Sequence, residues 1–388
     1  RPAVELTKLD TAVGLPDGAN PMAWFGERVF PTVQEALGEP NPVYSPLSVY
    51  LALGMVSDGA GGTTASQFAE VLAGDRDQVN DTASALLADY VTFEDGDENQ
   101  PILKLADSIW IDDQIAIKEA FERDMVDLYR SSVFDVDFSQ PDSAKPVNQW
   151  VKDRTNGLID QLLDQGDTDG LLLYLVNALY FKGAWTSPAE PSATAPGRFE
   201  LVDGRGVDVD MMTFDLWQAS PLVLDDGSEG VLLPYGDGRF AMLAVMPAGG
   251  PEAVDWNGQV VAGWLERIKA AEPVPLMVRL PKWEADSGIL DLIPVLRAAG
   301  LEDAFLDAAD FRGISETALY ISSVSHRAVV KVNEAGTEAA AATGICMLQA
   351  ALAEPRTVEF NRPFVYSIID TQTGLPLFLG ALTDPTVK

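Results

Sequence analysis

Covalent and metal chemistry in proteins leans on histidine, cysteine and closely placed carboxylates, and this chain is nearly without the first two. Its 388 residues include one histidine, His326, and one cysteine, Cys346. A zinc site of His and Cys ligands cannot be assembled from that set, and no intrachain disulfide can form. Any Ser-His-Asp or Cys-His apparatus would have to use His326. That residue stands in Ser322-Ser323-Val324-Ser325-His326-Arg327-Ala328-Val329-Val330, a strand-like run where a histidine is expected to be a hydrogen-bonded structural residue. Carboxylates are so abundant that no pair of them identifies a glycosidase. Gly59-Ala60-Gly61-Gly62 and Gly236-Asp237-Gly238 lack the helix-opening lysine and spacing of a phosphate loop. Glu94-Asp95-Gly96-Asp97-Glu98 lacks the calcium-loop ligand pattern and reads as a solvated loop. Asn80-Asp81-Thr82 is a glycosylation sequon, relevant only in a eukaryotic secretory setting. The chain is therefore not expected to be an enzyme, nor to carry a metal or other cofactor.

Acidic residues outnumber basic ones 59 to 26, for a formal charge of −33. Such a surface repels nucleic acid and anionic membranes and favours basic partners, high salt or simple solubility. The longest strongly apolar stretch, Leu171–Phe181, is too short to span a bilayer and is broken by Asn177. Neither nucleic acid nor membrane is expected as a partner. No basic-then-apolar leader stands at Arg1, so a secreted protein would have had its signal peptide removed from this sequence.

The elements that must position these residues follow from periodicity. Met22–Ala36 carries apolar residues at helical spacing. Ser45–Val56 is apolar nearly all round behind a serine cap, which predicts a buried helix. Gly59, Gly61 and Gly62 end it, and Thr64 with Gln67 forms a capping-box pattern for the next helix. Glu119–Leu128 and Ala144–Leu163 read as amphipathic helices. Strand-like runs occupy Ile102–Ile111, Leu171–Phe181, Gly230–Leu233, Phe240–Met246 and Leu276–Leu280. Alternating runs follow at Ala318–Val332, Phe364–Asp370 and Leu377–Leu382, and Asp237-Gly238 predicts a hairpin turn. No repeat or linker divides residues 1–388, so one domain is expected. The irregular mixture of helices and strands argues for the α+β class.

One segment stands out physically. Glu334-Ala335-Gly336-Thr337-Glu338-Ala339-Ala340-Ala341-Ala342-Thr343-Gly344 is rich in small residues and follows directly on a strand-like run. Read at period two, Thr337, Ala339, Ala341, Thr343, Ile345 and Met347 form an uncharged face, and no proline occurs before Pro355. The segment could enter a sheet as a new strand and donate every ladder hydrogen bond. The alanine run is also compatible with a helix.

This segment and the strand before it, Ser325-His326-Arg327-Ala328-Val329-Val330-Lys331-Val332-Asn333, resemble the hinge of the serpins. Other serpin-like stretches stand in the family's order. They are Asn41-Pro42-Val43-Tyr44-Ser45-Pro46-Leu47-Ser48, Asn148-Gln149-Trp150-Val151 with Thr155-Asn156-Gly157-Leu158-Ile159, and Val176-Asn177-Ala178-Leu179-Tyr180-Phe181-Lys182-Gly183-Ala184-Trp185. Leu280-Pro281-Lys282, Ala309-Asp310-Phe311-Arg312-Gly313-Ile314, Phe360-Asn361-Arg362-Pro363-Phe364 and Pro376-Leu377-Phe378-Leu379-Gly380 follow. The resemblance implies an α+β serpin fold with about three β-sheets and about eight to nine helices. It implies an exposed reactive-centre loop at residues 334–355, offered to a protease as bait. After cleavage the loop inserts into the largest sheet and drags the acylated protease with it.

The resemblance assigns Glu334, Gly336, Thr337, Glu338, Ala339, Ala340, Ala341 and Ala342 to the hinge that inserts. An inserted strand from Thr337 to Ala350 would span about 46 Å at about 3.3 Å per residue. Ser45, Ser48, Asn177 and His326 fall where the family keeps a polar cluster under the opening sheet, and Trp185 where an aromatic caps its top. Family spacing from Glu334 puts the cleaved bond at Ala350–Ala351, while spacing from Phe360 leaves Leu348 or Leu352 as alternatives. Alanine fits a small apolar specificity pocket and cannot pair with the aspartate of a trypsin-like one. The expected partner is an elastase-like or subtilisin-like serine protease, held covalently by a monomeric, extracellular inhibitor. The alternatives are a chymotrypsin-like or cysteine protease, or a non-inhibitory carrier or chaperone. Acids in the helix after Ala60 and in Asp75–Tyr90 argue against heparin binding. Cys346 lies within the bait loop, where oxidation of its thiol would hinder insertion.

Overall fold

The computed structural model describes Val29 and residues 40–90, 100–254, 258–338 and 355–387. The predicted helix Met22–Ala36 lies outside the described residues except at Val29, which is helical. Strand β1 (Val43–Tyr44) leads into α1 (Pro46–Asp58), α2 (Gly62–Val71) and α3 (Arg76–Tyr90). Next come β2 (Ile102–Asp112), α4 (Glu119–Tyr129), β3 (Val133–Val136), α5 (Ala144–Arg154) and β4 (Leu173–Ala184). The middle of the chain is mostly strand: β5 (Ala195–Glu200), β6 (Gly206–Ala219), β7 (Leu222–Val223), β8 (Glu229–Tyr235) and β9 (Phe240–Met246). Helix α6 (Gly258–Ala270) precedes β10 (Val274–Pro281), β11 (Trp283–Asp286), β12 (Leu290–Asp291) and α7 (Ile293–Ala298). The last third holds β13 (Ser323–Arg327), β14 (Val329–Val332), β15 (Gly336–Thr337), β16 (Arg356–Glu359), β17 (Phe364–Asp370) and β18 (Pro376–Leu382). The described residues thus give seven α-helices and three sheets, of six, four and eight strands.

Helix α1 forms as its sequence dictates. Ser45 is the N-cap, its hydroxyl accepting from the Ser48 N–H at 3.2 Å, and Pro46 takes the first helical position where no N–H is needed. Pro46 through Ser57 are buried, so the helix is apolar all round because it runs inside the molecule. One expectation fails nearby. Thr64 and Gln67 do not build a capping box, since α2 starts at Gly61–Gly62 without a side-chain cap. Thr64 Oγ1 instead accepts from Asp310 N–H, and Gln67 Oε1 accepts from the N–H groups of Glu302 and Asp303. Tertiary partners have claimed both side chains.

Helix α5 also stops earlier than its pattern suggests, at Arg154 rather than Leu163. Asn156 and Gly157 adopt φ of 51° and 80°, left-handed values that end a helix. Asn148 Oδ1 then accepts from the N–H groups of Leu162 and Leu163, folding the tail back along the helix. The Asn80 sequon is not a surface acceptor, because its amide donates to Asp58 Oδ1 at 2.6 Å and accepts from the Tyr129 hydroxyl at 2.6 Å. The Asp237-Gly238 hairpin is present, with Gly236 and Gly238 at positive φ between β8 and β9.

The eight-stranded sheet is covered on both faces. Leu173, Leu175, Leu179 and Phe181 of β4 join the main core with α1, while Tyr174, Val176 and Ala178 join a second cluster with Val147 and Val151 of α5. Period-two alternation therefore places Asn177 on the α1 side. In the six-stranded sheet, Asp370 is fully buried and takes the Arg239 guanidinium on both carboxylate oxygens, at 2.9 and 2.7 Å. The Tyr90 hydroxyl also donates to it at 3.1 Å. Asp370→Ala removes two charge-assisted bonds from Arg239, which keeps Asp89 and Gln372, and leaves the Tyr90 hydroxyl without this acceptor. Stability is expected to fall by about 2–3 kcal/mol. Urea unfolding of the two proteins checks this.

Candidate functional site

The large sheet is split along its middle. β13 runs parallel to β4 from Ser323 opposite Tyr174 to Arg327 opposite Ala178. Beyond Ala328 the same run continues as β14 but no longer touches β4 as a ladder partner. The two-residue strand β15 stands between them, with Gly336 opposite Ala184, and Thr337 opposite Gly183 on one side and Val332 on the other. Between Ala178 and Gly183, no described strand pairs with β4 on that side. The sheet is closed at one end, bridged at the other and unzipped between.

The closed end is held by a buried polar row. Asn177 of β4 faces His326 of β13 directly, with Asp107 of β2 on its other flank. The Asn177 amide donates to Ser48 Oγ at 2.6 Å and to Asp107 Oδ1 at 2.8 Å, and Ser48 Oγ donates to the same oxygen at 3.0 Å. His326 Nε2 accepts from the Ser45 N–H at 3.1 Å, which leaves the proton of the neutral ring on Nδ1, facing Asn177 Oδ1. Complete burial lowers the His326 pKa to about 4, a hydrogen bond to Asn177 offsetting part of the effect. Burial likewise pushes the Asp107 carboxyl well above its usual range, against the hydrogen bonds from Ser48 and Asn177. The arrangement fixes β2, β4 and β13 to α1 through buried hydrogen bonds.

The bridged end is built around β15. A Cβ on Gly336 would lie 2.0 Å from the Gly183 carbonyl oxygen, so only glycine admits so close a pairing. Thr337 is 1% exposed, and its hydroxyl bonds the Tyr235 hydroxyl at 2.6 Å. Tyr235 stacks on Trp185 at 4.4 Å between ring centroids, and Trp185 donates from its indole to Asn333 O at 2.9 Å. Glu334 receives Thr194 Oγ1 and Lys282 Nζ, each at 2.7 Å. Burial opposes ionisation of Glu334, but these donors outweigh it and hold the carboxyl below its ordinary value. Glu338 ends the strand at φ 53°, its carboxyl raised by burial and partly compensated by Tyr180, Lys331 and Lys182.

A family model described as Serpin (serine protease inhibitor) matches residues 21–385. This chain belongs to the serpin family. A serine protease inhibitor of Cyanea capillata is 32% identical over 359 residues, covering 89% of this chain and 93% of that protein. The native structure of the thermophilic serpin tengpin superposes with a TM-score of 0.82 at 28% identity, covering 94% and 93% of the two chains. Thyroxine-binding globulin in complex with thyroxine has the same fold, with a TM-score of 0.82 at 24% identity over 94% and 98%. Serpins as a family inhibit proteases rather than catalyse reactions.

The structure brings Ser45, Ser48, Asn177 and His326 together at the closed end of the split and sets Trp185 at the other end, beside Glu334, Gly336 and Thr337. One expectation needs correcting. Thr337 is not on an exposed loop waiting to enter; in the uncleaved serpin it is already a buried strand residue, because its small side chain and hydroxyl fit beneath Tyr235. Ala339, Ala340, Ala341, Ala342, Leu348, Ala350, Ala351 and Leu352 lie outside the described residues, as does Cys346. Sequence reasoning missed Asp107, Tyr235, Lys282 and Thr194. Asp107 had a signal, since it occupies an inward position between Leu105 and Ile109 in a strand whose other inward residues are apolar.

The lone histidine sets a pH dependence. The unfolded ring takes a proton below about pH 6.5, whereas the folded ring does not until about 4. Its contribution to stability is complete above that upper value and falls as pH drops through the window, by up to about 3 kcal/mol. His326→Gln should remove this acid-side loss relative to wild type, as measured by urea midpoints across the window.

Proposed function

We propose that this serpin is a suicide-substrate inhibitor of serine proteases with small or elastase-like specificity pockets. The observation that carries the reading is the position of β15. It forms an antiparallel strand between β4 and β14 and points down the unpaired length of β4. Continued from Gly183 to Leu173, such a strand would advance about 33 Å at about 3.3 Å per residue. The protease serine would attack the Ala350 carbonyl carbon, the Ala350–Ala351 bond would break, and the new amino group of Ala351 would depart with a proton. The ester to Ala350 tethers the protease to the strand that enters the split. Insertion forms a full set of ladder bonds on edges that the uncleaved sheet leaves unpaired, which drives the translocation before the ester hydrolyses.

The acidic surface, with a formal charge of −33, favours encounter with basic proteases and makes association salt-sensitive. Fold alone does not decide inhibition, since thyroxine-binding globulin shares it. The uncharged inward face from Thr337 to Met347 is what supports an inserting loop here.

Incubation with elastase, subtilisin, chymotrypsin and trypsin followed by denaturing gels tests the proposal. The expected result is a covalent band with elastase or subtilisin and a released peptide beginning at Ala351. Cleavage without a covalent band against the whole panel would overturn the inhibitory reading. Thr337→Arg places a charge where the native residue is buried, so it should be cut as a substrate with the covalent yield reduced about tenfold or more.

A further inference from the structure

Asp107 is a buried acid, 9% exposed, that no inhibitory step uses. It sits on β2 next to Asn177, the residue that closes β4 against β13. We propose that Asp107 is a positioning residue for loop insertion: its carboxyl is a proton-operated latch on Asn177 that loosens the sheet when it ionises. The proposal rests on the loop-insertion reading above.

Asp107 is held at its carboxyl by neutral donors rather than by an ion pair. Its carboxyl takes hydrogen bonds from Ser48 Oγ and Asn177 Nδ2, both neutral, and its backbone carbonyl accepts from Ser131 Oγ. From α1, Ser48 bonds it and the apolar Leu51 and Met55 line a cavity of about 30 Å³ beside it, while Tyr50 and Asp58 turn to Thr82 and Asn80. Tyr129 and Arg130 at the end of α4, and Arg154 of α5, line the same cavity. His326 of β13 stands beyond Asn177. Lys104, on the same strand, is half-buried and donates to Asn156. Among the described residues no cation lies within ion-pair distance of Asp107.

Such a carboxyl is easier to bury neutral than charged. A strand can enter at this level only if β4 leaves β13 by about one strand spacing, roughly 4.8 Å. Asn177 and Asp107, on the β4 side, would then shift away from Ser48 on α1 and admit water to the carboxyl. The closed sheet therefore binds the Asp107 proton more tightly than the open one. By linkage, rising pH favours opening through Asp107. His326 acts with the opposite sign, since it is held neutral in the closed sheet and gains a proton on opening as pH falls. Between about pH 4 and 6.5 the two effects oppose each other, and above that window Asp107 acts alone.

The test follows conversion of the intact serpin to a heat-resistant, loop-inserted form on mild warming, from about pH 4 to about pH 9. Wild type should change little below about pH 6.5, where the two groups offset each other, and conversion should rise about tenfold above it. Asp107→Asn keeps the hydrogen-bond geometry and should flatten that alkaline limb to less than about twofold while uncovering an acid limb from His326. His326→Gln should keep the alkaline limb and extend it toward lower pH. An alkaline limb that survives in Asp107→Asn overturns the proposal. So does an infrared spectrum without a protonated-carboxyl band assignable to Asp107 at about pH 7, a measurement that stands if Asp107→Asn fails to fold, with Asp107→Ser as the control. If loop-cleaved wild type gains no heat resistance at any pH, loop insertion itself fails and this proposal falls with it.

Discussion

The pairing of β4 with β13 at Asn177 and His326 is the constraint on which the rest of the molecule depends. One hydrogen-bonded row, from Asp107 through Asn177 to His326 and pinned to α1 by Ser45 and Ser48, closes a sheet whose edges above it are apart. Every member is buried, so each hydrogen bond is formed in a low-dielectric setting where an unmade partner is expensive. The row is therefore firm while complete and weak once one member changes charge or moves. The single histidine suits this role: it is buried, bonded to the Ser45 N–H and to Asn177, and held neutral down to about pH 4.

The far end of the split obeys a different logic, that of fit. Gly336 is admitted because it has no side chain, and Thr337 because its methyl and hydroxyl fill the space below Tyr235. Trp185 braces that tyrosine by stacking and holds the turn at Asn333 through its indole N–H. Lys282 and Thr194 fix Glu334, where the chain leaves β14. The hinge is thus restrained at both its polar start and its buried tip, and the loop beyond it begins from inside the sheet.

The parts of this arrangement legible in the sequence were those with local causes. Helix α1 announced itself through Ser45, Pro46 and an unbroken apolar run, β9 through a short apolar run after a hairpin turn, and β17 through its alternating run. Helix α5 overran because amphipathic spacing persists past Arg154, while Asn156 and Gly157 decide its end. Thr64 and Gln67 misled because a capping-box pattern cannot say whether a distant backbone will claim the same side chains. Tyr235, Lys282 and Thr194 carry no mark of their role, since each becomes relevant only when β8, β10 and the turn before β5 meet at the hinge. Asp107 was legible by parity alone, a charge on the apolar face of a strand.

The double coverage of the large sheet explains the composition of the segment after the hinge. An entering strand that continues the register of Thr337 opposite Gly183 would turn its odd-numbered residues toward the α1 core and its even-numbered ones toward α5. Neither face is open to solvent, which is the condition that makes central strands of covered sheets apolar throughout rather than alternating. Thr337, Ala339, Ala341 and Thr343 on one face and Ala340 and Ala342 on the other meet it with the smallest side chains available, so they can pass between packed layers without displacing them. Glu338 is the exception, and it is the residue at which the described strand stops. Its carboxyl, half-buried between Tyr180, Lys331 and Lys182, is the first charge that insertion must carry beneath α5. The barrier to closing the split from the hinge side thus lies at Glu338, and the barrier from the other side at Asn177 and His326. The alanines between them oppose nothing.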